Sequence, residues 1–387
     1  MEKTNLFYDF DTPVDRRQTG SIKWDYYDDN SIIPMWVADM DFQSPPVVLD
    51  ALHQRIDHGV FGYTVHQNNL VEIVLDRLHT LYDWKVEPDW LIWLPGLVTA
   101  LNVTCRAVGE DGDDVLTNIP VYPPFLTAPG YSRRNLVTVP MIIDDDRWIF
   151  NPDHFREAIT PRTKLFILCS PHNPTGRLFT RDELIQLADI CEEKNIIICS
   201  DEIHCDLILD QKRKHIPTAT LSPEIEKRTI TLMAPSKTFN LPGLGCSFAI
   251  ISDPELRKQF RQNMDGIVPH VNTLGYTAAF AAYRDGASWL EAVLGYLHRN
   301  RDIVTEAVKE MPGLSMTTVE ATYLAWIDTR FAKLDEPAGF FEKAGVGLVD
   351  GKYFNGEGFV RLNFACPQSL LKKALERMET ILRDRFK

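Results

Sequence analysis

The sequence of 387 residues lacks an apolar run that approaches the length of a membrane span. It also lacks an apolar signal core, because its first residues, Met1-Glu2-Lys3-Thr4-Asn5, lead into acidic and polar sequence. Basic residues are in deficit: 41 Lys and Arg against 54 Asp and Glu give a net charge of -13. This acidic balance argues against nucleic acid and anionic membranes as main partners. We therefore predict a protein without a nucleic-acid or membrane partner.

The sequence also lacks a CxxC motif, because no two of its seven cysteines have this spacing. Four of them lie in apolar runs, where buried free thiols are common: Cys105, Cys169, Cys199 and Cys246. This pattern predicts that the protein is located in the reducing cytoplasm. We also predict that it has no metal site. No GxGxxG motif follows a strand, which excludes a Rossmann dehydrogenase.

Length and composition indicate a large globular protein. With 44% hydrophobic residues, the chain can form two domains or one large domain with a satellite. We predict a large domain over residues 46–288 and a small domain that combines residues 1–45 with 289–387. No internal repeat or low-complexity linker is present. Helical periodicity and start signals predict a helix that starts at Pro45-Pro46 and helices that span about 68–84, 181–194, 273–284 and 287–310.

Two parallel strands follow one another in the middle of the chain. The runs Lys164–Cys169 and Ile196–Ser200 are almost continuously apolar, as strands buried on both faces are, and a predicted helix separates them. The right-handed crossover of such a βαβ unit brings Asn173 and Asp201 to the same edge of the sheet. The run Phe248–Ile251 is predicted as an antiparallel neighbour.

Lys237 has unusual surroundings for a lysine. It follows the apolar run Thr229–Met233 and precedes a glycine-rich stretch, which places it just past a buried strand. Ligands bind at the carboxyl ends of strands in α/β sheets, and a desolvated lysine there becomes a nucleophile or base. Lys237 is therefore a candidate for a Schiff base. The alternative is a lysine that only caps nearby carbonyl groups.

Three further features fit one pyridine cofactor. A buried Asp201 needs a cation, such as a protonated ring nitrogen, and Asn173 can donate to a ring hydroxyl oxygen. Residues 114–125 look like a strand that ends in a loop fixed by prolines, and Tyr122 in this loop can cover a ring face, although tyrosines packed on prolines are common. The Gly96-Leu97-Val98-Thr99 turn starts a helix and can bind a phosphate, although plain strand–helix turns look alike.

Three motifs in this order resemble fold-type I pyridoxal-phosphate enzymes of the aspartate aminotransferase superfamily: Ser170-Pro171-His172-Asn173-Pro174-Thr175-Gly176, Ser200-Asp201-Glu202-Ile203-His204 and Ser236-Lys237-Thr238. The resemblance covers nearly the whole chain. It implies an α/β fold in which a large domain has a mostly parallel sheet of seven strands and a smaller α/β domain completes the molecule. It also implies pyridoxal 5'-phosphate as cofactor.

Other stretches narrow the resemblance to one branch. Residues 16–25, 36–42 and 61–63 look like those of the MalY/PatB-type C–S lyases, cystathionine β-lyases and cysteine desulfhydrases. The resemblance implies that Lys237 bonds the cofactor, that Asp201 holds its ring nitrogen and that Arg361 binds the substrate carboxylate. The resemblance also places Asn173 and Tyr122 at the ring and Tyr63 at the phosphate of a neighbouring subunit, which implies a homodimer. Val98 and Thr99 of the helix-start turn are our candidates for the phosphate, with Ser236 as a further donor. Residues that face the substrate side chain must set substrate choice, and the candidates are Trp36, Asp39 and Tyr122.

His204 departs from the pattern of many aminotransferases, which carry a tyrosine at this position of an Asp-x-x-Tyr motif. The lyase branch shares this histidine, so the departure favours a lyase. We predict a carbon–sulfur β-lyase that converts L-cystathionine, a related cysteine S-conjugate or L-cysteine to pyruvate, ammonia and a thiol. An aminotransferase of the same fold is the first alternative. A pyridoxal-binding regulator with little activity is the second, and the presence of Lys237 and Arg361 argues against it.

Overall fold

The computed structural model describes residues 8–387. Its helices are α1 (Pro46–Asp57), α2 (Asn68–Tyr82), α3 (Leu97–Ala107), α4 (Pro123–Tyr131), α5 (Pro152–Ala158), α6 (Arg181–Glu193), α7 (Pro223–Lys227), α8 (Pro254–Met264), α9 (Thr273–Asp285), α10 (Ala287–Glu310), α11 (Pro337–Lys343) and α12 (Gln368–Arg385). Its strands are β1 (Ile33–Pro34), β2 (Leu91–Leu94), β3 (Asp114–Ile119), β4 (Asn135–Pro140), β5 (Ile142–Asp144), β6 (Arg147–Ile149), β7 (Thr163–Cys169), β8 (Ile197–Asp201), β9 (Thr229–Met233), β10 (Ser247–Ile250), β11 (Ser315–Met316), β12 (Leu324–Asp328), β13 (Val346–Gly347), β14 (Val349–Asp350) and β15 (Phe359–Asn363).

A sheet of seven strands forms the centre of the molecule, in the order β2-β10-β9-β8-β7-β3-β4. Every neighbouring pair is parallel except the two pairs made by β10, which runs antiparallel to β2 and β9. The predicted βαβ unit and the antiparallel neighbour are thus confirmed. Apolar clusters cover both faces of this sheet, which explains why β7, β8 and β9 are almost continuously apolar.

The predicted helices are confirmed, with ends that shift by one or two residues. Helix α6 begins with a capping box, in which the Thr180 hydroxyl and the Glu183 carboxylate each accept from the other's backbone N–H. One local expectation was wrong. The prolines after Tyr122 do not prolong a loop, because Pro123 and Pro124 are the first residues of α4, where the fixed φ of proline suits the first turn.

A small antiparallel sheet, β11-β12-β15-β14, lies in the last third of the chain. The N-terminal residues join this part of the molecule, because β1 pairs in parallel with β13. An apolar cluster of α9, α10, α12 and the small sheet includes Phe10, Met35 and Phe42 of the N-terminal region. The pairing of the two chain ends supports the expected division, but domain boundaries at residues 46 and 289 stay a prediction.

All seven cysteines are buried and free, as expected for the four in apolar runs. Their side chains pack as small apolar groups within the clusters around the sheets. Within residues 8–387, no helix combines the length and apolar character needed to cross a membrane.

Candidate active site

A cavity of about 590 Å³ opens at the carboxyl ends of β7 and β8, between the large sheet, the small sheet and the N-terminal region. Ligands bind at this edge in open α/β sheets. Ten of the predicted site residues line it: Trp36, Val98, Thr99, Tyr122, Asn173, Asp201, His204, Ser236, Lys237 and Arg361. Residues that are far apart in the sequence therefore meet as expected.

Asp201 ends β8 and is buried in the wall of this cavity. Within residues 8–387, its carboxylate accepts one hydrogen bond, from the Ile203 N–H at 3.2 Å. Burial raises the pKa of Asp201 to about 7, with a smaller contribution from Glu202. Such a carboxylate is uncompensated, and a cationic ligand in the cavity would stabilise its charged form.

Lys237 lies four residues after the end of β9. Its Nζ donates a hydrogen bond of 2.6 Å to the backbone oxygen of Ala38. Burial lowers the pKa of Lys237 to about 8, and nearby Asp39 partly opposes this shift. The amine is therefore partly neutral near physiological pH, which makes it a usable nucleophile or base.

Arg361 lies in the middle of β15 and is buried. Its Nη1 donates to Asn173 Oδ1 at 2.9 Å and its Nη2 to the Trp36 oxygen at 3.0 Å, while the guanidinium stacks on the Phe354 ring. Its Nε has no partner among the described residues. Burial lowers the pKa of Arg361 to about 10, so the group remains a cation near neutral pH. The arginine is held in place and keeps a donor for an anionic ligand.

The Gly96-Leu97-Val98-Thr99 turn forms the start of α3, which has 11 residues. Among the residues that the structure describes, no side chain caps this end, and the turn lines the same cavity as Asp201 and Lys237. The first N–H groups of a helix lack internal partners, so they can bind an anion such as a phosphate. Ser236 lines the cavity as well and can add a hydroxyl donor.

Two aromatic side chains complete the wall. His204 is buried, and its Nδ1 lacks a partner among the described residues. Burial lowers the pKa of His204 to about 3, with smaller contributions from Lys237 and Arg361, so the imidazole is neutral. Tyr122 immediately precedes α4, and burial raises its pKa, so it stays a neutral phenol. Both residues offer uncharged polar and aromatic surface to a planar ligand.

The N-terminal region contributes main-chain oxygens as hydrogen-bond acceptors, besides lining the cavity with Trp36. We call residues 36–42 the strap, because they cross the cavity side of the molecule. Asn363, two residues after Arg361, donates from Nδ2 to the backbone oxygens of Val37 and Asp39. Asn240, three residues after Lys237, bonds the backbone of Met40 and Phe42. The strap is thus tied to the strand of the arginine and to the loop of the lysine.

Charged side chains of the N-terminal region anchor the strap from the other side. Arg16 pairs with Asp39 and Asp41, each at 2.6 Å, and the fully buried Lys23 pairs with Asp41 at 2.6 Å. Trp24 Nε1 donates to Asp41 Oδ1 at 2.7 Å. The carboxylate of Asp39 is engaged by Arg16 and is not in the cavity lining, so its predicted substrate contact stays a prediction.

Tyr63 lies away from the cavity of its own chain. It is fully exposed, in a segment without regular secondary structure between α1 and α2. Its predicted role concerns a second chain, so that role stays a prediction.

Sequence reasoning missed three residues at the site: Tyr323, Asn240 and Asn363. Asn240 lies three residues after Lys237, and Asn363 lies two residues after Arg361 in β15. Polar side chains beside a functional residue were the available signal. Their partners are backbone oxygens, however, and backbone oxygens leave no trace in residue types.

Comparisons with known proteins agree with this geometry. The aminotransferase class I and II family matches residues 31–378. The chain is similar to cystathionine beta-lyase PatB of Bacillus subtilis, with 35% identity over 96% of this chain and 99% of PatB. It also resembles the crystal structure of OvoB, at a TM-score of 0.95 and 43% identity over 97% and 99% of the two chains. Cystalysin from Treponema denticola, whose crystal structure contains pyridoxal 5'-phosphate, matches at a TM-score of 0.94 and 32% identity over 98% and 100%.

These matches span nearly the full length of each chain, and they confirm the predicted fold class: fold-type I, α/β, with a large and mostly parallel sheet. The protein belongs to the aminotransferase class I and II family.

Proposed function

We propose that this protein is a pyridoxal-phosphate-dependent carbon–sulfur β-lyase that cleaves L-cystathionine or a related cysteine S-conjugate. One observation carries the proposal: Lys237, Asp201 and Arg361 line a single cavity in a chain that is similar to PatB over nearly its whole length. The products would be pyruvate, ammonia and a thiol.

The described residues fit the cofactor. No cationic side chain among residues 8–387 forms an ion pair with the Asp201 carboxylate, and a protonated pyridine nitrogen would supply such a partner. The open N-terminus of α3 suits the phosphate, and Lys237 Nζ would hold the cofactor covalently. Asn173 has only its Oδ1 engaged, by Arg361, so its Nδ2 can donate to the ring hydroxyl oxygen.

Bound pyridoxal phosphate would supply an electron-withdrawing ring that stabilises negative charge at the substrate Cα. The chain supplies the rest. Asp201 would keep the proton on the ring nitrogen, and Arg361 would bind the substrate carboxylate with two parallel hydrogen bonds. The buried wall around these groups excludes water and strengthens both charge interactions.

Lys237 would move the proton. Its amine, with a pKa of about 8, can accept the Cα proton once it is free. Loss of that proton and of the Cβ–S bond yields a thiol and 2-aminoacrylate, and hydrolysis of the latter gives pyruvate and ammonia. Trp36 lines the cavity and would contact the substrate side chain, while His204 would remain a neutral neighbour of the ring.

The deciding experiment is pyruvate release from L-cystathionine by the purified protein with pyridoxal phosphate and without any keto acid. We expect many turnovers, with homocysteine formed in equal amount, and no release by the Lys237→Ala variant. If the cofactor instead converts to its pyridoxamine form without pyruvate, the reaction is transamination and the lyase proposal is wrong.

We also propose a homodimer in the reducing cytoplasm. The seven buried free thiols support this location. The loop before α2 exposes Phe61, Tyr63 and Val65, which line a surface depression together with residues 269–274. Apolar surface of this kind marks a protein contact, and Tyr63 of one chain would reach the phosphate site of the other.

Mixing subunits tests the dimer. If active sites are shared, hybrids of Lys237→Ala and Tyr63→Ala subunits contain one intact site, and mixing the inactive Lys237→Ala variant with the Tyr63→Ala variant should raise activity above that of either variant alone. Sedimentation should give twice the mass of the 44.3 kDa chain. A monomer in sedimentation, or a mixture no more active than its components, would refute this arrangement.

A further inference from the structure

Tyr323 is a buried tyrosine that immediately precedes β12, with 1% of its surface exposed. Its hydroxyl donates a hydrogen bond of 3.0 Å to the backbone oxygen of Ala38. The same oxygen accepts the 2.6 Å hydrogen bond from Lys237 Nζ. One carbonyl group therefore binds both the phenol and the amine.

We propose that Tyr323 is a positioning residue, which acts through the Ala38 carbonyl to place the free Lys237 amine and to weaken its hold on a proton. The consequence for catalysis rests on the proposed function, in which Lys237 is the base. The effect on the amine itself does not depend on that function.

The backbone beside Tyr323 supports a specific placement. Thr322 has φ 72°, in the left-handed region that β-branched residues rarely adopt. Two hydrogen bonds hold it there, from the Thr322 N–H to the Leu207 oxygen at 2.8 Å and from the Leu324 N–H to Thr322 Oγ1 at 3.2 Å. Strained residues persist where the surrounding structure fixes them, and they cluster at functional sites. The strain here orients the residue that follows, which is Tyr323.

The Ala38 oxygen is itself held in place. Its neighbours in the strap, the oxygens of Val37 and Asp39, both accept from the buried Asn363 side chain. A displacement of this oxygen toward Lys237 or Tyr323 would break those bonds. The positions of Lys237 Nζ and the Tyr323 hydroxyl are therefore set by an Ala38 oxygen that does not move.

A carbonyl oxygen that accepts two hydrogen bonds binds each donor more weakly than it would bind one donor alone. A carbonyl oxygen that already accepts from a phenol has less electron density to offer an ammonium group. The bond to Tyr323 thus disfavours the protonated form of Lys237 relative to the neutral amine. Burial raises the pKa of Tyr323 above its ordinary value, so the phenol keeps its proton and remains a donor.

Other charged groups face Lys237 from every side. Asp39 on the strap and Asp201 at the end of β8 favour the ammonium form, while Arg361 on β15 disfavours it. His204, against whose ring Tyr323 packs edge-on, is neutral. A Tyr323→Phe substitution leaves all these groups in place and removes only the hydroxyl, so it isolates the effect of the shared hydrogen bond.

The test compares the wild-type chain with Tyr323→Phe and with Tyr296→Phe as a matched control. Tyr296 is also buried, and its hydroxyl donates to Asp11 at 2.6 Å, outside the cavity lining. The pH dependence of Lys237 acylation is measured by mass spectrometry on the full chain stripped of cofactor. We expect the midpoint to rise in Tyr323→Phe by about half a pH unit, a threefold gain in proton affinity, and to stay constant in the control.

The loaded enzyme provides a second measurement. Tyr323→Phe should lower kcat near pH 7.5 by up to about threefold, since fewer amines are neutral, with KM nearly unchanged. An unchanged acylation midpoint would overturn the proposal even if kcat fell, because a purely structural role predicts that result. Absence of pyruvate from the wild type would refute the lyase function but leave the acylation test intact.

A second variant covers the case in which Tyr323→Phe folds poorly. Incorporation of 3-fluorotyrosine at position 323 keeps the hydroxyl and nearly the same volume, but makes the phenol a stronger donor. The acylation midpoint should then fall below that of the wild type. A midpoint that does not fall would contradict the proposed sharing of the Ala38 oxygen.

Discussion

The two sides of the cavity are built in different ways. On the large-sheet side, Asp201 and Lys237 follow the ends of buried strands and present their own side chains. On the strap side, a segment without regular secondary structure presents backbone oxygens, which Arg361, Asn363 and Tyr323 bind. The first side supplies charged groups and the second supplies a fixed frame for them.

This difference shows which part of a site residue types can reveal. The carboxylate of Asp201 and the amine of Lys237 are chemical groups that the sequence names directly. The Ala38 oxygen belongs to a residue whose side chain has no function at the site. Substitutions on the large-sheet side should therefore change chemistry, whereas those on the strap side should change position and stability.

The largest effect is expected for Lys237→Ala. Loss of both the covalent link and the base should lower kcat/KM for pyruvate release by about 10³-fold or more. The visible absorbance of bound cofactor should disappear. The exposed Lys194 offers a control, and Lys194→Ala should behave as wild type. Wild-type turnover by Lys237→Ala would rule out the proposed mechanism.

Asp201→Asn should stabilise the cofactor-free chain. The folded pKa of Asp201, about 7, lies above its ordinary value of 3.8, so folding favours the protonated carboxyl and stability is lost as pH rises between these values. The variant should gain up to about 4 kcal/mol over wild type above pH 7, and almost nothing at pH 3. Urea unfolding at both pH values measures this difference.

Asp111→Asn serves as a control of opposite sign. Asp111 is exposed, and its hydrogen bond with Arg133 lowers its pKa. This substitution should therefore cost stability at neutral pH. If Asp201→Asn showed the same sign, the large-sheet side would not contain an uncompensated charge.

Arg361→Lys tests the residue that bonds both Asn173 on the large-sheet side and Trp36 on the strap side. Lysine keeps the charge but cannot bond Asn173 and Trp36 while also gripping a carboxylate with two parallel bonds. We expect kcat/KM to fall by about 10–100-fold, mainly through KM. Arg156→Lys, an exposed change, should have no effect. An equal loss in kcat with constant KM would indicate that Arg361 acts on the reacting atoms instead.

The smallest effect is expected for Asn363→Ala on the strap side. Its removal takes the Asn363 donor from the Val37 and Asp39 oxygens, which should cost about 1–3 kcal/mol in the free energy of unfolding. KM should rise more than kcat falls. Asn263 on α8 bonds a helix carbonyl away from the cavity, so Asn263→Ala provides the matched comparison in thermal unfolding.

The fold could be predicted from the sequence because its strands are continuous apolar runs and its helices carry clear periodicity and start signals. Most site residues could be predicted because they follow strand ends or lie in recognisable motifs. Two kinds of detail escaped. Pro123 and Pro124 fit a loop or a first helical turn equally well, and only packing decides. The two-donor contact at Ala38 depends on residues 285 positions apart.

The buried thiols have a consequence for an enzyme that releases thiols. Cys169 and Cys246 line the cavity in which the product would form. Burial raises the pKa of Cys246 to about 12 and that of Cys169 further, so both sulfurs stay protonated. Thiol–disulfide exchange requires a thiolate, so neither cysteine can attack a disulfide that arises from the released product. The two cysteines in the cavity would therefore not react with a disulfide formed by oxidation of the enzyme's own thiol product.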